Sequence, residues 1–297
     1  QAIMNLLERF PSGLRARLRH VVVVVLGLAA STWRRAMIRT TVVGITGSVG
    51  KTTAKELLAG ILAAGGSTMK TRGGMNGTLG VPRTVLRIRP WHRFAVIEAG
   101  TFAKGDIRRA SGVIRPQIAV ITSVFLEHYS AHRRLASVAL EKQSFMECVR
   151  PGGTVWLNWD NPSIVSMQVP KGLRVRRFGS LPGYDLWAEN PNSAWPDRLS
   201  FDVHYGEQSR HVTTRLVGEH WLSSALGAIG AALDCGLDLD TICDAIARVE
   251  PMRARLEPVR VSNGAIVLRD DLKSTPATIG PAFKVLGEAA GVRRWLV

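Results

Sequence analysis

The stretch at residues 41–56, TVVGITGSVGKTTAKE, constrains what this chain can fold into more than any other. Val42, Val43, Gly44 and Ile45 are apolar and mostly β-branched, which predicts a short buried strand. A turn with two glycines follows, Gly47-Ser48-Val49-Gly50, and Lys51-Thr52-Thr53 opens a helix running to about residue 63. Strand, glycine turn and helix are the parts of a phosphate-binding loop. The glycines let backbone N–H groups close on phosphate oxygens, and the helix N-terminus favours negative charge. Lys51 is placed to reach the outer phosphates, and the Thr52 hydroxyl to bind Mg²⁺. The common pattern GxxxxGK[ST] would need a glycine where Ile45 stands; the shorter form TGSxGKTT fits instead. The bland alternative is a Gly-rich turn with an exposed lysine, and Lys-Thr-Thr directly after Gly50 argues against it.

At 297 residues the chain has room for two domains. Its formal charge of +16 suits an anionic partner: a nucleotide, a carrier lipid or nucleic acid. The basic residues are spread out and no aromatic RNA-binding signature is present, so nucleic acid is disfavoured. The three cysteines, Cys148, Cys235 and Cys243, lack metal-ligand spacing and read as reduced thiols of a cytoplasmic protein. The start at Gln1 and the strand-like ending at residues 293–297 suggest a piece of a longer protein.

Residues 1–40 are basic around an apolar run at 21–30, VVVVVLGLAA. That run is shorter than the roughly 20 apolar residues a spanning helix needs. Two readings stay open: a helix lying on an anionic membrane surface, or burial against the core. Residues 69–82, MKTRGGMNGTLGVP, read as a Gly-rich loop carrying Asn76 and leading into a helix near 83–86. Residues 94–97 predict a strand with Glu98-Ala99-Gly100 at its carboxyl end. Ligands of open α/β sheets gather there, which makes Glu98 a candidate Mg²⁺ ligand. Another strand at 118–122 is followed, on the same side, by His128. Further strands at 154–157 and 174–178 complete an alternation that predicts an α/β fold with a doubly wound, mostly parallel sheet. The pattern then changes. An antiparallel hairpin is expected from 199–205 and 211–217, then helices at 223–233 and 239–249, a second hairpin at 259–261 and 266–268, and a helix at 277–289.

Taken in order, TGSVGKTTAKE, GGMNGTLGVP, VIEAG, His128 with Lys142, VWLNWDNP, GEHWLSSALGA, RARLEP and DDLKSTPATI resemble the Mur ligase family from about residue 41 onward. After the basic and apolar segment at 1–40, the resemblance implies a central ATP-binding domain at 41–257 and the start of a C-terminal Rossmann-like domain at 258–297. Family members activate a carboxylate with ATP as an acyl phosphate, which an amine attacks to give an amide. Carried over by motif, Gly47, Ser48, Val49, Gly50, Lys51, Thr52 and Thr53 hold the nucleotide phosphates, with Asn76, Arg255 and Asp270 also at the nucleotide. Thr52 and Glu98 hold one Mg²⁺. His128 and Lys142, the latter matching a lysine that is carbamylated in many members, hold a second. Lys51, Glu98, His128 and Lys142 then form the catalytic set.

Departures from the family pattern are the Gly-rich loop's paired asparagines, reduced to Asn76 with Gly74 and Gly77, and Ser123, Trp221, Ser224, Leu272, Lys273 and Thr275 where the family carries asparagine or tyrosine. They suggest a second reading, a nucleotide-binding scaffold that has lost catalysis. The first 40 residues do not look like the family's UDP-sugar domain, so the acid substrate is left open. The expected enzyme is an ATP-dependent acid–amino acid ligase acting on a cell-wall or surface-polymer precursor, cytoplasmic, with membrane contact through residues 1–40 as an open reading. An ordinary phosphate-loop kinase or GTPase is disfavoured by the shortened loop.

Overall fold

The structure, a computed structural model, describes residues 12–101, 103–126, 134–272 and 276–289. One sheet organises it. Its strands are β1 (Thr41–Thr46), β2 (Thr68–Lys70), β3 (Phe94–Glu98), β4 (Ile118–Ile121), β5 (Thr154–Asn158), β6 (Arg174–Gly179), β7 (Leu186–Asn192), β8 (Ser200–Tyr205) and β9 (Gln208–Thr213). They lie in the order β2-β3-β1-β4-β5-β6-β7-β8-β9. Pairing is parallel from β2 to β7, and β8 and β9 add an antiparallel extension. This is the α/β, mostly parallel arrangement expected from the alternation. The chain leaves β1 for β2 and β3 on one side and returns to β4 on the other, which makes a topological switch point beside β1.

Both faces of the sheet are covered at β1, β3, β4 and β5, so these strands are apolar on both faces. On one face Val43, Ile45, Val96 and Val120 pack against α2 (Lys51–Gly65), α7 (Leu222–Asp234) and α8 (Leu239–Ile246) through Leu58, Ile61, Ile229 and Ile242. On the other, Val42, Ala95, Ile97 and Ile121 meet α1 (Ser12–Ala36), α3 (Gly80–Val85), α4 (Asp106–Ile114) and α5 (Leu135–Gln143) through Ala30, Val85, Ile107 and Val138. The short helix α6 (Pro162–Val165) follows β5. A separate antiparallel pair, β10 (Glu257–Arg260) and β11 (Ile266–Arg269), precedes α9 (Pro276–Glu288).

Helix α1 is packed against the core at one end and exposed at the other. Its C-terminal part is anchored: Trp33 Nε1 donates to Ile88 O at 2.9 Å, and buried Arg34 donates to Ile114 O, Arg115 O and Gln117 Oε1. Arg34 thereby caps the last carbonyls of α4. Burial, then the charges of Arg150 and Arg115, pull its guanidinium down to about 10. The N-terminal part leaves Leu14, Val21, Val24, Val25 and Leu28 exposed. Among the described residues, no helix is long and apolar enough to cross a membrane.

Several element boundaries differ from expectation. Thr68–Lys70 is a short edge strand inside the expected loop, because its backbone finds β3 as a partner. Helix α3 starts at Gly80, ahead of the expected 83. The second hairpin strand is Gln208–Thr213, with the turn at Gly206-Glu207; residues 214–216 instead bond to Leu199 outside the ladder. Strand β7 was not anticipated: LWAENPN carries Pro191 and two asparagines, and its pairing with β8 shifts register between Glu189 and Asn192.

Candidate functional site

Strand register assembles the site. Ile45 pairs with Glu98 across β1 and β3, and Thr46 pairs with Ile121 across β1 and β4. The glycine turn, Glu98 and residues 122–125 therefore leave the sheet side by side at its carboxyl edge.

The turn is stitched to the exit of β4. Ser48 N–H donates to Ser123 O at 2.8 Å and Val49 N–H to Ser123 Oγ at 2.8 Å. Thr122 Oγ1 donates to Val49 O at 2.6 Å, and Ser48 Oγ to Phe125 O at 2.9 Å. Contact is so close that a Cβ on Gly47, at φ +149°, would stand 2.1 Å from Thr122 Oγ1. On Gly50, at φ +84°, it would stand 2.4 Å from Ser224 Oγ. Two of the amides that the sequence directs at phosphate are thus engaged by Ser123, where the family pattern has asparagine. Lys51, at the first turn of α2, folds back: its Nζ donates to Gly47 O at 2.5 Å and Ser48 O at 2.7 Å. Thr53 is buried beside it.

Glu98 is fully buried at the end of β3. Its Oε1 accepts from Thr52 Oγ1 at 3.1 Å and from Asn76 Nδ2 at 2.6 Å. Its Oε2 has no hydrogen-bond partner, and Lys55 Nζ stands 3.7 Å away. Asn76 is fixed by its main chain, whose carbonyl accepts from Gly100 N–H at 2.8 Å.

A cavity of about 90 Å³ opens over these groups, lined among the described residues by Ser48–Thr53 of the turn, Asn76, Glu98, Trp221, Arg255 and Thr278. Buried Oδ1 of Asn76, Oε2 of Glu98 and Nε1 of Trp221, all from lining residues, have no hydrogen-bond partner. Larger hollows of about 550 Å³ by Glu56 and Arg253 and about 460 Å³ by Pro191 and Val285 touch none of the glycine turn, so size does not mark the chemistry here.

Arg255 enters the cavity from the far side. Burial lowers its pKa, against the opposing charges of Asp270 and Glu98. Asp270 is shifted upward by burial, against the attraction of Arg255. Desolvation outweighs attraction on both partners. The residues flanking Arg255 are strained, with φ +56° at Ala254 and +47° at Leu256. His220 is pushed down to about 4 by burial, then by Arg255, so it is neutral at pH 7. Its ring lies 4.4 Å from that of Trp221, centroid to centroid.

The carboxylate and hydroxyl oxygens of Glu98 and Thr52 are hard donors of the kind Mg²⁺ takes, and the unbonded Oε2 gives them capacity for a cation. Lys142 is buried on α5 and donates to Thr101 Oγ1 at 3.1 Å, beside the end of β3 rather than on the cavity wall. His128 lies outside the described residues. The structure thus gathers Lys51, Thr52, Asn76, Glu98 and Arg255 at one cavity, with Asp270 behind Arg255. Lys55, Thr278 and the role of Thr122 and Ser123 escaped the sequence reading. Lys55 carried a signal: it sits one helical turn from Lys51 among Ala54, Leu57 and Leu58, where a lysine needs a partner.

Residues 45–232 match the Mur ligase middle domain. The UDP-N-acetylmuramoyl-tripeptide–D-alanyl-D-alanine ligase of Escherichia coli K12 is 29% identical over 274 residues, covering 89% of this chain and 58% of the relative. The ligase of the same name from Mycobacterium tuberculosis H37Rv is 28% identical, covering 83% of this chain and 48% of the relative. A crystal structure of MurF from Acinetobacter baumannii superposes with a TM-score of 0.86 at 26% identity, covering 91% of this chain and 59% of that one. The chain spans about half to three-fifths of the length of these relatives. Through the domain that holds the glycine turn and Glu98, this chain belongs to the Mur ligase family.

Proposed function

We propose that the chain is the ATP-binding part of an ATP-dependent acid–amino acid ligase, forming an amide bond through an acyl phosphate. By the names of its relatives, the acid is a UDP-N-acetylmuramoyl tripeptide and the amine D-alanyl-D-alanine. One observation carries this reading: three buried polar atoms without hydrogen-bond partners belong to residues of the same cavity that the phosphate-loop residues line. A divalent cation satisfies the amide and carboxylate oxygens and a ligand oxygen accepts from the indole N–H, so Mg²⁺ with a phosphate-bearing nucleotide suits the set.

Lys51 swings from the Gly47 and Ser48 carbonyls onto the outer phosphate oxygens as the nucleotide enters. Thr52 and Glu98 would hold Mg²⁺, which when bound would supply charge neutralisation for phosphoryl transfer to the carboxylate. Asn76 keeps Glu98 aimed, and Arg255 adds positive charge from the far wall of the cavity. Lys142, in carbamylated form, and His128 would hold a second ion. Catalysis by this set is positioning and electrostatics, so a nucleophilic side chain is not needed. Lys51→Ala should weaken Mg²⁺–ATP binding, measured by titration calorimetry, and lower ligation by about 10²–10³-fold. Ligation unchanged by that swap rejects the assignment; ATP binding with no product under any pairing of acid and amine is the outcome for a scaffold.

The protein works on the cytoplasmic side, where ATP and the nucleotide-linked acid are supplied. Helix α1 rests there on an anionic membrane surface. Leu14, Val21, Val24, Val25 and Leu28 are exposed within one stripe of the helix, and Arg15, Arg17 and Arg19 accompany them without any acidic residue. Vesicles containing phosphatidylglycerol should sediment the protein and neutral vesicles should not. Val21→Glu with Val25→Glu should abolish sedimentation, and retention of the double variant on vesicles would reject this contact.

A further inference from the structure

Lys55 is a fully buried cation that none of these steps uses. It follows Lys51 by one turn of α2, deeper in the same face. Its ammonium stands 3.7 Å from Glu98 Oε2, 2.9 Å from Glu56 Oε1 and 3.4 Å from Gly73 O. Glu56 is in turn paired with Lys70 at the surface.

The two sides of Glu98 are not alike. Oε1 is held by two hydrogen bonds, from Thr52 and Asn76. Oε2 has none, and at 3.7 Å the ammonium gives it charge balance without a hydrogen bond. A carboxylate taken wholly out of water needs a counter-charge. A divalent cation on Glu98 would supply the same balance more strongly and would repel the ammonium. Lys55 already has two other acceptors, Glu56 and the Gly73 carbonyl, to hold it when that happens.

We propose that Lys55 is the resident counter-ion of the metal site: it balances Glu98 while no metal is bound and yields that carboxylate to Mg²⁺, remaining on Glu56 and Gly73. The inference rests on the reading of Glu98 as a metal ligand. It makes Lys55 a positioning residue whose removal strengthens metal binding, the reverse of what loss of a ligand does.

The test is thermal unfolding of the whole chain, titrated with MgCl₂ alone, for the wild type, Lys55→Met, Lys55→Arg and the double variant Lys55→Met/Glu98→Gln. Lys55→Met should melt lower without metal, bind Mg²⁺ about tenfold more tightly, and regain more of its melting temperature on Mg²⁺ than the wild type gains. Lys55→Arg should behave like the wild type. The double variant removes the unpaired charge, so it should recover most of the lost stability and ignore Mg²⁺. A Lys55→Met protein whose Mg²⁺ response is equal to or weaker than the wild type overturns the proposal. So does a double variant no more stable than Lys55→Met. Should Lys55→Met not fold at all, folding of the double variant supports the ion pair, and its failure to fold overturns it. A wild type indifferent to Mg²⁺ would sink the metal half and the Glu98 ligand reading together, while rescue by Glu98→Gln would still establish the pair.

Discussion

The glycine turn and the segment from Ala254 to Asp270 reach the same cavity, yet they are held there by different forces. The turn is locked by short main-chain and hydroxyl hydrogen bonds to Thr122, Ser123 and Phe125, between strands whose register is fixed by a buried core. The second segment has an exposed two-stranded sheet, two non-glycine residues with positive φ, and an Arg255–Asp270 attraction that burial opposes on both partners. Rigidity at the phosphate loop is therefore a property of packing, and placement of Arg255 is a property of electrostatics and strain. Damage to the first should be read in stability, damage to the second in affinity.

Gly47→Ala sharpens the comparison most. The added methyl meets Thr122 Oγ1 at 2.1 Å and Ser123 N at 3.0 Å, and Thr122 cannot turn away without giving up its bond to Val49 O. Overpacking of roughly 1–3 kcal/mol and backbone strain of roughly 1–3 kcal/mol sum to about 4 kcal/mol of lost stability. Denaturant unfolding checks it; a loss below about 1 kcal/mol would mean the turn is not packed as tightly as its contacts imply.

That contrast also explains what could be read in the sequence. Strands β1, β3 and β4 were legible because each is a short apolar run, and the phosphate loop because two glycines and Lys-Thr-Thr follow the first of them, so local chemistry dictates them. Glu98 was legible from its place at a strand end. The bonds from Ser123 were not, since they depend on how the β1–β4 register places residue 123 under Val49. Lys55 was hidden for the same reason: its partner Glu98 is far off in sequence and near only after β3 is in place. Strand β7 was missed because a strand with Pro191 and asparagines gains its partner from β8, not from its own propensity. Arg255 and Asp270 were reached by resemblance to a family, and no local pattern singled them out.

A pH experiment probes the Arg255 side of the cavity next. His220 is held neutral, down to about 4, by burial and by Arg255, and Gly218, with φ +102°, is what allows its ring to sit so close. An unfolded histidine titrates near 6.5, so between those values the unfolded chain binds more protons than the folded one. Stability is full above about pH 6.5 and is lost as pH falls, by about 2 kcal/mol between pH 7 and pH 5. His220→Phe should remove this part of the acid sensitivity while leaving the rest. Equal acid sensitivity in both proteins would show that the ring is protonated without cost and does not report on the Arg255 side of the cavity.

Arg255→Ala carries the smallest effect and the sharpest contrast. The guanidinium is half-buried, and its attraction to Asp270 and Glu98 does not offset its desolvation, so its loss should change unfolding stability by less than about 1 kcal/mol. Its charge faces the cavity, where a nucleotide's phosphates would pair with it directly. ATP affinity should therefore fall about tenfold, a difference of about 1.4 kcal/mol, read by calorimetric titration beside denaturant unfolding of the same preparation. Were Arg255→Ala to unfold as readily as Gly47→Ala while binding ATP normally, the two regions would have exchanged roles, with the strained backbone at Ala254 and Leu256 serving packing rather than recognition.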